Sequence, residues 1–219
     1  LKIPFVKDIV LKRRLEKVKN TYISGLLREQ VNEIMHCFFH LHVARSYRSS
    51  SSNMNFQNIP VRNKEAQRIV RQAIIPREGN QIIEEDFKGI EVCVSACVHR
   101  DPNMIKYVTD PTTDMHRDQA MEIYILPQDE VHKDTRYCAK NRFVFPEFYG
   151  DWYKSCAIEL WEAIDAFNHK TAKGGIPLRE HLHDQGIKSF SRFEKHVRDV
   201  EHVFWYERFK VYTEWKEET

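Results

Sequence analysis

No apolar run in this sequence approaches the length needed to cross a bilayer, and nothing at its N-terminus has the pattern of a signal peptide. Those two absences point to a cytosolic protein with no membrane partner. Paired cysteines are missing as well. The five cysteines, at positions 37, 93, 97, 138 and 156, are odd in number and form no C-x-x-C step. A disulfide framework and a zinc ribbon are thereby disfavoured. Glycine is scarce, seven residues in 219, and there is no internal repeat and no disordered linker. The Lys173-Gly174-Gly175 step is the one clear flexible break in the second half.

What is present is an ordinary soluble composition, 42% hydrophobic and 30% charged, long enough for one large domain or two small ones. The net charge is only +2, but it is unevenly spread. Residues 1–80 hold 15 Lys/Arg against 6 Asp/Glu, whereas residues 81–219 hold 19 against 26. A basic first third suits a polyanion, and an acidic remainder suits a site that holds cations.

Apolar periodicity predicts a helix over 7–20, with Ile9 or Val10, Leu11, Leu15 and Val18 inward and Lys12, Arg13, Lys17 and Lys19 outward. A second helix is expected from Thr21 to about Met35. Phe38–Val43 reads as a strand, the serine run from Arg48 to Pro60 as a loop, and 72–76 with 81–86 as a hairpin turning at Gly79. Further helices are expected over about 90–98, 103–108, 114–124, 134–149, 151–168 and 190–214. Cys93 and Cys97 should be small core residues on one face of the first of these. The 151–168 helix should bury Trp152, Cys156, Leu160, Ala163 and Phe167. The 190–214 helix should open on a Ser191/Glu194 capping box and bury Phe193, Val197, Val200 and Phe204.

Three stretches could carry chemistry. Residues 48–62 form a polar loop with Arg48, Asn55, Gln57, Asn58 and Arg62, whose cations and amides could reach the minor groove of a duplex. Glu84-Glu85-Asp86-Phe87-Lys88-Gly89-Ile90-Glu91 puts a carboxylate at a strand end, where a divalent cation can be held. Arg136 and Lys140 lie one helical turn apart and could grip a triphosphate, with Phe145 and Tyr149 further along to meet a base. Any one of these alone is equally the pattern of a solvated surface.

Their order is what matters. S-S-S-x-x-N-F-Q-N-I-P-V-R, then D-F-x-x-I-E, then Asp114-Met115-His116, then R-x-x-x-K with F-x-x-x-Y-G, resembles the family A DNA polymerases of the bacterial polymerase I type, most nearly the phage-like versions. The resemblance implies an α+β fold: mostly helical fingers on a partial antiparallel palm sheet of a right-hand polymerase. Residues 1–35 would be the base of the thumb helices, 36–90 the first part of the palm and 91–219 the fingers. It also implies roles. Lys19, Arg48, Asn55, Gln57, Asn58 and Arg62 would contact primer–template DNA, and Gly150 with Tyr149 would stand where the templating base enters. Asp86 would be the first catalytic carboxylate and, with the Phe87 carbonyl, a ligand to magnesium, of which the complete enzyme uses two ions. Glu91 would reject a 2′-hydroxyl. His116, Arg136 and Lys140 would hold the deoxynucleoside triphosphate, Lys140 also taking part in catalysis, and Phe145 would lie beside it. A bacterial or phage-infected cytoplasm is the setting implied.

The sequence departs from the family in three places. Phe87-Lys88-Gly89 replaces Tyr-Ser-Gln, so an amide near the sugar is lost. One extra residue lies between Lys140 and Tyr149, and strict spacing would put Val144 where the aromatic belongs. Pro146 offers a repair, since it crowds the preceding turn, and a one-residue bulge there would return Phe145 to the nucleotide face. Lastly, no His-Asp-Glu turn is found, and His183-Asp184 reads as ordinary surface. The sheet is expected to be incomplete and the second carboxylate to come from a further polypeptide or segment. A non-catalytic nucleic-acid-binding protein derived from a polymerase is the alternative. It would need the basic loop but none of Asp86, Glu91, Arg136, Lys140 and Tyr149.

Overall fold

The computed structural model describes residues 4–61, 63–87 and 89–218, and it divides into two units, Leu1–Glu85 and Asp86–Thr219. Arg62 and Lys88 lie outside the described residues. The chain is α+β, mostly helical with two small antiparallel sheets. No helix among the described residues is long and apolar enough to cross a membrane.

The first unit begins with α1 (Pro4–Lys17), which runs through a π-turn at Val18–Ile23 into α2 (Ser24–Glu29). The expected inward stripe is only partly covered: Val10, Leu11 and Leu15 are each half or more exposed, whereas Ile9 is half-buried and Val18 packs against the small core of this unit. The small core forms further on, from Tyr22, Leu26, Met54 and Val70. Gly25 belongs to this contact, since a Cβ there would come within 3.0 Å of the Met54 sulfur. The helix expected to reach Met35 instead ends at Glu29, and β1 (Gln30–Val31) pairs with β2 (Ile34–Met35). Asn32 and Glu33 both take positive φ, the backbone of a two-residue hairpin turn, and they break the helical run.

The Phe38–Val43 strand is shorter than expected. β3 (Phe38–His40) pairs with β4 (Ser50–Ser52), so the serine run is partly a strand rather than a loop. Serine has little intrinsic strand preference, and pairing overrides it. Ser51 is buried, its hydroxyl donating to the Met54 carbonyl at 3.4 Å and accepting from the Phe56 N–H at 3.2 Å. Residues 64–72, where no element is expected, form α3 (Lys64–Gln72), capped by the Asn63 side chain. The hairpin expected around Gly79 does not form. Its turn exists, with Asn80 N–H bonded to Arg77 O and Gly79 at φ +76°, but no ladder flanks it. Ile75, Ile82 and Ile83 are 79%, 61% and 84% exposed, and two short strands with nothing to pack on are marginal.

The second unit is helical: α4 (Ile90–His99), α5 (Pro102–Thr109), α6 (Met115–Tyr124), α7 (Lys133–Ala139), α8 (Phe145–Phe148), α9 (Tyr153–Ala166), α10 (Leu178–Asp184), α11 (Phe190–His202) and α12 (Lys210–Glu218). The α10 helix was not expected. One core joins these helices, with Phe143, Leu160, Phe193, Val197, Phe204 and Phe209 fully buried. Cys156, Leu160 and Ala163 face inward as expected, but Trp152 and Phe167 are 53% and 63% exposed. They cap α9 in non-helical conformations and so fall off its stripe. The cap of α11 is Ser189, whose hydroxyl accepts from the Arg192 N–H, so Ser191 lies inside the helix and forms no capping box with Glu194. Phe193, Val197, Val200 and Phe204 are buried as expected, though a π-turn at Val203–Arg208 interrupts the long helix. Cys93 is half-buried and Cys97 exposed, because α4 buries only a narrow face at Ala96.

Phe204 meets Phe143, Phe148, Trp205 and Phe209 at ring-centroid distances of 4.8–5.9 Å. Phe204→Ala is expected to lower the unfolding free energy by about 3–5 kcal/mol, the range for emptying a buried aromatic site. Denaturant unfolding followed by circular dichroism would measure it, and a loss under 1 kcal/mol would mean that the site collapses freely.

Candidate active site

Two N-caps and one π-turn build the site in the second unit. Asp114 caps α6: its Oδ1 accepts from the backbone N–H groups of His116 and Arg117, both at 3.1 Å. Its Oδ2 accepts from Nε of Arg136, on α7, at 2.7 Å. One carboxylate therefore fixes the start of α6 and aims the guanidinium. Burial works to raise the Asp114 pKa. It is outweighed by the Arg136 hydrogen bond, the Arg117 N–H and the Arg136 charge, which hold it below the usual carboxylate range.

Beyond Ala139 the helix takes up its extra residue in a π-turn at Lys140–Val144. Val144 points into the core, fully buried, while Phe145 lines the cavity. Pro146 sits at the start of α8, where its missing N–H costs little. Lys140 Nζ lies 4.9 Å from the Phe145 ring centroid, and the His116 ring meets Phe145 edge-on at 5.8 Å. The His116 pKa is lowered to about 4, first by burial and then by the charges of Arg136 and Lys140, against the pull of Asp114. At neutral pH the ring is uncharged. Its Nδ1 is buried and has no hydrogen-bond partner among the described residues.

These groups line a cavity of about 670 Å³, together with Asp86, Phe87 and Glu91 on the opposite stretch of sequence. Gly89 begins α4 at φ +62°, a left-handed conformation that glycine adopts without strain. That is the physical reason for glycine at this position. Asp86 and Phe87 are exposed, Phe87 by 76%. Tyr107 also lines the cavity. Its hydroxyl donates to Asp118 at 2.9 Å, and burial above all pushes its pKa up to about 12.

Asp86, Phe87, Glu91, His116, Arg136, Lys140 and Phe145, expected from the sequence as site residues, thus share one cavity. Tyr149 and Gly150 do not line it. They close α8, Tyr149 being 69% exposed and Gly150 at φ +90°. Asp114 was missed as a positioning group, although an aspartate just before a helical run is an N-cap signal. Tyr107 had no such signal. Lys19, Arg48, Asn55, Gln57 and Asn58 belong to the first unit and are exposed there. Asn55 caps a short 3₁₀ turn through the Gln57 N–H at 3.0 Å, and Gln57 Nε2 donates to the Ser49 carbonyl at 2.8 Å. Arg62 lies outside the described residues.

The family model described as DNA polymerase family A matches residues 1–173. The chain belongs to that family. Among curated family A relatives, the chain is 35% identical over 137 residues to the DNA polymerase I of Pseudomonas aeruginosa, covering 61% of this chain and 15% of the relative. It is 34% identical over 139 residues to that of Bacillus subtilis (62% and 16%) and 36% over 140 residues to the thermostable enzyme of Thermus aquaticus (63% and 17%). The matched part therefore spans about a sixth of the length of these relatives. Among solved structures, the POL domain of Pol1 from M. smegmatis, in complex with DNA primer-template and dNTP, superposes with a TM-score of 0.60 at 27% identity. That match covers 90% of this chain and 32% of the Pol1 chain.

Among the described residues of this family A chain, no group of three His, Cys, Asp or Glu side chains is arranged to hold a metal ion by itself. Asp86, Glu91, Asp110 and Asp114 line the cavity that also holds Arg136 and Lys140, and Asp114 is already engaged by Arg136. This donor set fits an ion that arrives on a polyphosphate, since magnesium is commonly held by one or two carboxylates plus the phosphates of its substrate.

Proposed function

We propose that the cavity binds a magnesium-bound deoxynucleoside triphosphate, and that the chain is part of a DNA-directed DNA polymerase. The observation that carries this reading is the gathering of Arg136, Lys140 and a neutral His116 against Phe145 in one cavity with Asp86 and Glu91. Residues 1–35 would form the thumb base, 36–90 the first part of the palm and 91–219 the fingers. Arg136 offers a fork and Lys140 a point charge to phosphate oxygens. His116 can donate one further hydrogen bond without adding charge. Phe145 offers a ring face to the base or sugar. Glu91 takes up room beside the sugar, favouring a substrate without the 2′-hydroxyl. Asp86 and the Phe87 carbonyl would hold magnesium, which supplies charge neutralisation for the attack of a primer 3′-hydroxyl on the α-phosphate. The residues contain no His-Asp-Glu turn, so the second carboxylate would come from another polypeptide or segment, and the 219 residues alone should not extend a primer. Tyr149 and Gly150 would meet the templating base.

Calorimetric titration of the chain with a magnesium-bound deoxynucleoside triphosphate tests this reading. Saturable binding that inorganic pyrophosphate competes away is the expected result, and no binding at millimolar ligand would sink it.

The exposed basic residues of the first unit support duplex binding. Lys12, Arg13, Lys17 and Lys19 are all exposed, as are Arg48, Asn55 and Asn58. Affinity for a primer–template duplex should fall steeply with salt, because each phosphate contact releases counterions. Neutralising Lys12, Arg13, Lys17 and Lys19 together should flatten that dependence by up to about four in the log–log slope. An unchanged slope would remove α1 from the DNA-binding surface.

A further inference from the structure

A buried acid lies just behind the cavity, in the turn that carries Phe145. Glu147, on α8, is only 2% exposed. Its Oε2 accepts from the Trp205 indole N–H at 2.8 Å, and its Oε1 lies 3.6 Å from the Cys156 sulfur. Glu201 of α11 is within side-chain hydrogen-bonding reach of it, and the Glu201 Oε1 accepts from the Tyr153 backbone N–H at 2.7 Å, at the start of α9. Two carboxyl groups thus meet between α8, α9 and α11. Two buried like charges in contact are costly, and one shared proton turns that repulsion into a hydrogen bond.

We propose that Glu147 is a positioning residue: in its protonated form it pins the Phe145–Gly150 turn to Glu201 and Trp205, and so holds Phe145 at the cavity wall. The proposal deepens the reading of the cavity as a nucleotide site and rests on it. Burial above all pushes Glu147 up to about 8. The charge and hydrogen bond of Glu201 reinforce the shift, and the bonds to Trp205 and Cys156 oppose it. The titratable groups facing it are Glu201 from α11 and Cys156 from α9, with Asp151 acting on the thiol. On α12, Lys216 lies over the Trp205 ring at 5.6 Å and Tyr212 stacks on it at 5.3 Å.

The sign follows from proton counting. The folded chain keeps a proton on Glu147 that the unfolded chain gives up near its ordinary value of 4.5. The stability contributed by this group is therefore highest below that value and falls as pH rises towards about 8. Above that, the turn carries two adjacent negative charges.

Hydrogen exchange from pH 6 to 9, compared between the wild-type chain and Glu147→Gln, tests the pin directly. The reporters are the amides that close the turn: Tyr149 to Phe145 O, Gly150 to Glu147 O and Asp151 to Pro146 O. The glutamine can still donate to Glu201 and accept from Trp205, but it carries no charge. Relative to Glu147→Gln, wild-type opening should rise by up to roughly tenfold per pH unit from pH 6 to about 8 and level off above it. The dissociation constant for a magnesium-bound deoxynucleoside triphosphate should rise in step. At pH 7 the wild type should show an infrared band of a protonated carboxyl that Glu147→Gln lacks. Glu147→Leu, which keeps burial and loses both hydrogen bonds, should open more readily at every pH. Superimposable exchange profiles, a missing carboxyl band, or Glu147→Leu behaving as wild type would each overturn the pin. If the exchange profiles split as expected but no nucleotide binds at any pH, the nucleotide reading fails and the pin stands.

Discussion

Lys140→Ala is expected to weaken binding of a magnesium-bound deoxynucleoside triphosphate by roughly tenfold to a hundredfold, while affinity for duplex DNA stays within twofold or so. A hydrogen bond to a charged group contributes about 1.5–3 kcal/mol, which sets that range. Lys140 stands in the cavity over Phe145 and has no ion-pair partner among the described residues. Its loss removes an attraction without stranding another charge. Arg136→Ala should cost at least as much and act differently. Asp114 would lose its 2.7 Å partner while still capping α6, so its carboxyl would become easier to protonate and the start of α6 would loosen. Isothermal titration with each ligand separates the two variants. Equal small effects on nucleotide and duplex would mean that this face is merely solvated.

The larger effect should come from reconstitution. Mixed with a polypeptide that carries the remaining palm and its His-Asp-Glu turn, the chain should gain magnesium-dependent primer extension that it lacks alone. Asp86→Asn should then abolish extension by many orders of magnitude while leaving assembly intact, because it would remove the proposed metal ligand and no core contact. Asp86 is exposed at the edge of its unit, so the substitution leaves the helical core untouched. Glu91→Ala should keep synthesis and weaken discrimination against ribonucleotides. Extension by the rigorously purified chain alone would sink the claim that the site is incomplete, and full activity of the Asp86→Asn mixture would show that the assignment of Asp86 is mistaken. If the pieces assemble without extending a primer and Asp86→Asn leaves metal affinity unchanged, the non-catalytic reading is the better one.

The parts of the site that local chemistry dictates were legible in the sequence. Arg136 and Lys140 lie one turn apart on a strongly periodic helix, and Asp114-Met115-His116 opens another. Pro146 signalled that the helix between Lys140 and Tyr149 could not be regular, and the π-turn is where the extra residue went. The family resemblance supplied what spacing could not, the link between Asp86 and residues fifty positions away. Features that depend on distant partners were not legible. Ser50–Ser52 became a strand because β3 pairs with it, and Ile75, Ile82 and Ile83 stayed exposed because nothing pairs with their stretches. Glu147 was invisible for a related reason. A glutamate among aromatic residues gives no hint that a tryptophan 58 positions later will bury it.

The π-turn has a further meaning for the geometry of the helix that bears the site. Five residues of an α-helix carry the chain roughly 140° past a full circle, so residues 140 and 145 would face well apart. The wider turn at Lys140–Val144 brings them onto the same side, with Lys140 over the Phe145 ring. It also leaves Cys138 and Ala139 before it, and Phe143 and Val144 within it, buried in the same core. The helix is thereby split into two rotational phases, one setting the cationic side of the cavity and the other the aromatic side. Either phase can gain or lose its own side chains without turning the other, and positions in relatives have to be counted separately on each side of the turn.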